Sequence, residues 1–160
     1  MSDFPKKGVS FKDITPLLKN SNAFKTSINI FKNRIKDKKI DAIVALDARG
    51  FIFGAALAYE LNLPFIPIRK AGKLPNSTLE QEYDLEYGSA CLQIHKDALL
   101  PDQKVVLIDD VLATGGTAQA SIKLLRKLEV QIVEVLFLIN LTFLNGEEKI
   151  NAPIFSILEY

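Results

Sequence analysis

Two spacings of apolar residues alternate along this chain. Phe24, Ile28, Phe31 and Ile35 lie four, three and four positions apart, which places them on one face of a helix predicted from about Asn22. Ala42–Leu46, Phe65–Ile68, Lys104–Ile108, Ile132–Leu141 and Ile154–Leu158 are instead short, largely apolar runs, as expected of strands buried on both faces. Helical patterns separate them. Phe51–Leu61 follows the loop Asp47–Gly50, and Ala118, Ile122, Leu125 and Leu128 form an apolar stripe with Lys123, Arg126 and Lys127 facing outward. Strands alternating with helices predict an α/β fold, a mainly parallel central sheet flanked by helices.

Local signals set the boundaries. The first nine residues, with Pro5 and Gly8, read as an irregular arm. Thr15-Pro16 starts a helix, the threonine hydroxyl serving as cap and the proline as first helical residue. Lys36–Lys39 closes the next helix as a solvated end favoured by the helix dipole. Pro67 lacks a backbone donor, so its strand should lie at or near an edge there. Residues 69–88 interrupt the rhythm. Arg69–Pro75 is charged and broken by Gly72 and Pro75, and Leu79, Tyr83, Leu85 and Tyr87 then fall on alternate positions up to Gly88. Ala90, Leu92 and Ile94 alternate beyond it, so a two-stranded excursion turns at Gly88.

Length and composition narrow the setting. At 160 residues, with neither repeat nor linker, residues 1–160 form a single domain. Cys91 is alone and cannot build a disulfide framework. The longest wholly apolar run, Val135–Ile139, is too short to span a bilayer, and Met1–Lys7 does not resemble a signal peptide, so no membrane partner and a cytoplasmic location are expected. Twenty basic against nineteen acidic residues remove the general electrostatic case for a nucleic-acid partner.

The chemistry concentrates in Val105–Thr117. A strand ends, Asp109 and Asp110 emerge at its carboxyl end, and Ala113-Thr114-Gly115-Gly116-Thr117 leads into a helix. Gly115 and Gly116 let backbone amides converge, Thr114 and Thr117 add hydroxyls, and the helix N-terminus favours a phosphate without any lysine. Asp109 and Asp110 can accept hydrogen bonds from vicinal hydroxyls, so a ribose phosphate is the expected ligand. A plain helix cap would use one aspartate and one glycine, and leaves the rest of the motif unused.

This stretch resembles the phosphoribosyl diphosphate (PRPP) signature of the type I phosphoribosyltransferases. Further similarity to the adenine-using members runs through Asp3-Phe4-Pro5, Gly8-Val9, Phe11-Lys12-Asp13-Ile14, Ala48–Gly54, Arg69–Pro75 and Leu85-Glu86-Tyr87-Gly88, in the family's order and over nearly the whole chain. The resemblance implies the type I phosphoribosyltransferase fold and purine salvage, adenine and PRPP giving AMP and pyrophosphate with Mg²⁺ held mainly through the diphosphate. It also implies roles. Residues 1–20 form a hood and arm, with Val9, Ser10, Phe11 and Lys12 against adenine, although the family usually has arginine where Lys12 stands. Arg49, Arg69, Lys70 and Lys73 neutralise pyrophosphate, and Ala113–Thr117 hold the phosphate. Residues 69–90 form a mobile active-site loop, in which Glu86 is catalytic with Asp109 and Asp110, and Tyr87 covers the site. A homodimer is implied as well. Another purine acceptor and a PRPP-sensing regulator are the alternatives, and the absence of room for a DNA-binding domain speaks against the second.

Overall fold

A computed structural model describes residues 12–85 and 87–160. The apolar runs lie side by side as β1 (Ala42–Leu46), β2 (Phe65–Lys70), β5 (Lys104–Leu112), β6 (Gln131–Asn140) and β7 (Ile154–Glu159). With the hairpin strands β3 (Thr78–Asp84) and β4 (Ser89–His95) they make a seven-stranded sheet in the order β3-β4-β2-β1-β5-β6-β7. The pairs β2–β1, β1–β5, β5–β6 and β6–β7 are parallel, and β2–β4 and β3–β4 are antiparallel. The predicted excursion is therefore an arm of the sheet itself. Although β2 is interior in the strand order, its pairing to β4 involves only Arg69 and Lys70, and Pro67 faces Ala45 of β1 alone. The missing donor of Pro67 thus falls where the second side of the strand is unpaired.

The pleat sends alternate side chains into two cores. Val44, Leu46, Val105, Leu107, Val135 and Phe137 face α4 (Gly116–Arg126), with Leu79 and Tyr83 of β3 packed at the margin. Ile43, Ala45, Val106, Ile108, Leu136 and Leu138 face α2 (Ser21–Ile35) and α3 (Arg49–Leu61), where Phe31 and Phe53 are fully buried and meet edge to face. The predicted face of α2 is the buried one, and Asn20 caps it by accepting a hydrogen bond from the Ala23 amide at 3.0 Å.

Three boundaries differ from expectation. Ahead of α1 (Thr15–Lys19) the Asp13 carboxylate, not the Thr15 hydroxyl, receives the backbone amide, with Thr15 N at 2.9 Å and Thr15 Oγ1 at 2.7 Å. Those two bonds hold the Asp13 carboxyl below its ordinary value. Helix α3 begins at Arg49 rather than Phe51, because the turn after β1 closes within Asp47 and Ala48. Strand β5 runs to Leu112, since β6 continues to pair with it at Val111 and Leu112, so the two aspartates sit inside the strand rather than beyond it.

Candidate active site

The carboxyl ends of the parallel strands gather nearly every described residue that the sequence marks for chemistry, as open α/β sheets require. After Leu112 the chain turns through Ala113, Thr114 and Gly115 into α4, whose N-cap is Gly115 at φ 81°. That left-handed conformation suits glycine, and a Cβ there would stand 2.4 Å from the Gly146 carbonyl. Gly116 opens the helix with space around it. Ala113–Thr117 and Asp109 together line a cavity of about 80 Å³. A cavity of that size has room for a small anionic group.

Because they are consecutive in a strand, Asp109 and Asp110 point to opposite sides. Asp109 belongs to the α4 side and lines the loop cavity. Its Oδ1 accepts the Asp110 amide at 2.8 Å and lies where a Cβ on Gly50 would come within 2.9 Å. Burial, and then the neighbouring Asp110 carboxylate, push the Asp109 carboxyl well above the ordinary carboxylate range. Asp110 belongs to the α3 side and is 3% exposed. Its Oδ2 meets Arg49 Nε at 2.8 Å, an ion contact rather than a directed hydrogen bond. The first residue of α3 is in this way tied to the second aspartate of the motif.

The basic segment has a counter-ion that the sequence did not single out. Asp47 Oδ2 accepts Arg69 Nε at 3.1 Å and Lys73 Nζ at 3.3 Å. Burial raises the Asp47 carboxyl, but the bonds from Arg69 and Lys73 outweigh it and leave the group below its ordinary value. The peptide between Asp47 and Ala48 is cis. Buried Gln93 of β4 supports the same segment by accepting the Gly72 amide at 3.0 Å, while Ala71 N donates to Cys91 O at 3.0 Å. Lys70 ends β2 exposed to solvent.

Lys12 lies 3.8 Å from the centroid of the Tyr160 ring, beside a pocket also lined by Ile14, Leu138, Ile139 and Leu158. Tyr87, next to the hairpin turn, is 82% exposed. Val9, Ser10, Phe11 and Glu86 fall outside the described residues. Among the described residues no three His, Cys, Asp or Glu side chains gather as ligands for a metal ion. No helix among them is long and apolar enough to cross a membrane.

Sequence reasoning missed Asp47 and the Asn145–Glu147 turn that packs on the phosphate-loop backbone. Asp47 could have been found, since an acidic residue at a strand end beside the Arg49 turn faces the same opening as Arg69–Lys73. The turn at Gly146 leaves no local trace, because its contacts lie more than 30 positions away.

The phosphoribosyl transferase domain family matches residues 13–158. A protein of Thermoanaerobacter sp. (strain X514) named adenine phosphoribosyltransferase is 52% identical over 159 residues, 99% of this chain and 92% of its own. The crystal structure of adenine phosphoribosyltransferase from Thermoanaerobacter pseudethanolicus superposes with a TM-score of 0.95 at 51% identity, covering 100% of this chain and 94% of that one. The Saccharomyces cerevisiae enzyme complexed with an imino-altritol bisphosphate and adenine gives 0.93 at 40% identity, covering 98% and 91%. With half its residues shared over nearly its whole length and an overall superposition this close, the chain belongs to the phosphoribosyltransferase family, on its adenine phosphoribosyltransferase branch.

Proposed function

We propose that the protein transfers the phosphoribosyl group of PRPP to adenine in purine salvage, giving AMP and pyrophosphate. The observation that carries this reading is the junction of β5 and α4. A carboxylate on the strand and a loop of backbone amides at a helix N-terminus open into one cavity, within a chain half identical to adenine phosphoribosyltransferases.

In this reading Ala113–Thr117 take the 5′-phosphate, which the α4 dipole and the loop amides favour. Asp109 and Asp110 accept the ribose hydroxyls. Arg49, Arg69, Lys70 and Lys73 face the diphosphate, whose negative charge grows as the bond from the anomeric carbon to the pyrophosphate oxygen breaks. The new bond joins that carbon to the glycosidic nitrogen of adenine, which must lose its proton. Glu86, carried by residues 69–90, accepts the proton or holds the reactive tautomer, while Tyr87 covers the site. Val9, Ser10, Phe11 and Lys12, within residues 1–20, form the hood over adenine, with Lys12 oriented by the Tyr160 ring.

A magnesium ion would be held mainly through the PRPP diphosphate, beside the carboxylates of Asp109 and Asp110. Such an ion supplies charge neutralisation on the leaving group. A single domain over residues 1–160, a homodimer and a cytoplasmic location complete the reading. What supports the homodimer is the resemblance of the basic segment Arg69–Lys73 to that of the family.

The test is a panel of purine bases with PRPP and Mg²⁺, reading nucleotide product. Adenine should be used and hypoxanthine and guanine left, because an oxo-purine strands the groups that bond an amino-purine edge. Equal turnover of hypoxanthine or guanine would overturn the assignment. Glu86→Gln should lower kcat about 10²–10⁴-fold while PRPP still binds. Sedimentation should show a dimer at assay concentration, and a fully active monomer would remove that part of the reading.

A further inference from the structure

Behind the phosphate loop, on the side away from the cavity, lies a second layer of backbone. It is the turn that Asn145 enters at φ 52° and that continues as the 3₁₀ segment Gly146–Lys149. The two layers touch without side chains between them. A Cβ on Gly146 would stand 2.3 Å from the Ala113 carbonyl oxygen and 3.1 Å from the Gly115 amide nitrogen. From the other side, a Cβ on Gly115 would stand 2.4 Å from the Gly146 carbonyl. The nearest obstacle on each side is main chain, with the Leu112 Cδ1 also 3.1 Å from the Gly146 position, so a rotamer change of Leu112 alone does not relieve the contact.

The turn is also tethered. Glu147 accepts a hydrogen bond from Asn140 Nδ2. Asn140 is 1% exposed and ends β6, opposite Leu112 at the end of β5, and Leu141 N donates to Leu112 O at 2.9 Å. Among the described residues the Asn140 Oδ1 has no partner, and the bond to Glu147 is the one its side-chain amide makes there. Loop and turn therefore hang from adjacent strand ends and are pressed together at Gly115 and Gly146.

We propose that the Gly146 turn, held through Glu147 by Asn140, is a positioning element for 5′-phosphate recognition. Its backbone fixes where Ala113–Gly115 present their amides. The inference rests on the reading of Ala113–Thr117 as the 5′-phosphate site and adds residues that touch no substrate. A methyl group on Gly146 forces the layers apart by close to an ångström, and a shift of about 1 Å at a binding loop can cost about 100-fold in rate. The diphosphate side, built on Arg49, Arg69 and Lys73, lies on other elements and should not respond. That asymmetry separates positioning from general damage to the fold.

The experiment is calorimetric titration of the whole protein with ribose 5-phosphate and, separately, with pyrophosphate. Gly146→Ala should weaken ribose 5-phosphate by about tenfold or more and leave pyrophosphate within about twofold. In steady state, KM for PRPP should rise while KM for adenine holds. Glu147→Ala should weaken ribose 5-phosphate by about three- to tenfold, and Glu147→Gln, whose amide oxygen can still accept from Asn140, should restore it. The Glu147 pair decides the matter if Gly146→Ala does not fold. Wild-type affinity for ribose 5-phosphate in Gly146→Ala and Glu147→Ala, or equal losses for both ligands, would overturn the positioning role alone. Failure of the wild-type protein to bind ribose 5-phosphate would remove the phosphate-site reading and this inference with it.

Discussion

Removing the two cations that face Glu134 should cost the fold more than removing Glu134 itself. Glu134 lies on β6 with a side chain 0% exposed. Its Oε1 accepts Arg34 Nε at 2.9 Å and Nη2 at 2.6 Å, and its Oε2 accepts Lys38 Nζ at 2.9 Å. The cations come from the end of α2 and from the turn after it. Their side chains keep 43% and 34% of their exposure, and the Arg34 guanidinium also sits 4.8 Å from the Phe155 ring centroid. The two sides of the cluster are therefore unequal. In Glu134→Met the cations turn out to water and the methionine fills a buried site, so the net change should stay within about 1 kcal/mol. In Arg34→Met with Lys38→Met the carboxylate remains buried without partners, and its desolvation then costs about 3 kcal/mol. For a chain of this size that is a fall in Tm of about 6–12 °C. Burial raises the Glu134 carboxyl, but the bonds from Arg34 and Lys38 more than offset it, so the folded-state value lies below the ordinary 4.5. The stabilisation from the cluster is thus present above pH 4.5 and disappears as pH falls through the folded-state value. Without the cations only burial is left, so the deficit of the double variant should be largest at neutral pH and shrink on acidification. Urea denaturation followed by circular dichroism from pH 7 to pH 4 measures both. Since Glu134 sits toward the opposite end of β6 from Asn140, kcat should be unchanged in every variant that is folded. A Glu134→Met loss as large as that of the double variant would refute the reasoning.

Three further outcomes can be checked. Asp109→Asn should raise KM for PRPP yet raise Tm at neutral pH. An elevated folded-state carboxyl loses stability as pH rises above its unfolded value of 3.8, and asparagine removes that loss; a lower Tm at pH 7 would contradict it. Asp47→Asn frees Arg69 and Lys73 from a carboxylate that the diphosphate must otherwise displace and should strengthen product inhibition by pyrophosphate by about tenfold, and an unchanged inhibition constant would show that Asp47 does not compete for them. Tyr160→Leu removes the ring beneath Lys12, worth about 0.5–1 kcal/mol, so KM for adenine should rise about two- to fivefold if Lys12 serves the hood, and an unmoved KM would detach Lys12 from it.

The strands and helices were legible because burial on both faces of a parallel sheet demands continuous apolar runs, and α2 because only one of its faces is covered. The phosphate loop was legible because every residue it needs is contiguous, from Asp109 to Thr117. What failed to show lies in pairings across the chain. Strand β5 was cut at Ile108 since an aspartate pair reads as a loop, whereas β6 supplies ladder partners up to Asn140 and draws Leu112 into the sheet. The same extension turns Asp109 and Asp110 to opposite faces, a separation that a linear reading of neighbouring carboxylates cannot reveal. Thr15 looked like a cap because its type is right, but Asp13, two positions earlier, reaches the amide with a stronger acceptor. Gly146 has no signature of its own, being one glycine in a polar turn.

Three of the four cations assigned to the leaving group already have a carboxylate partner within the protein, Arg49 in Asp110 and Arg69 with Lys73 in the single carboxylate of Asp47. Two carboxylates thus offset half of the four positive charges that line the opening. Long-range attraction on an approaching polyanion is correspondingly reduced, and capture should depend less on ionic strength than four unpaired cations would make it. Selectivity follows from the same wiring. A passing inorganic anion meets cations already engaged by carboxylates, while a ligand anchored at its other end by Ala113–Thr117 presents its diphosphate at high local concentration and can displace Asp47 and Asp110 together. Recognition of one end of the substrate is in that sense the permission for contact with the other.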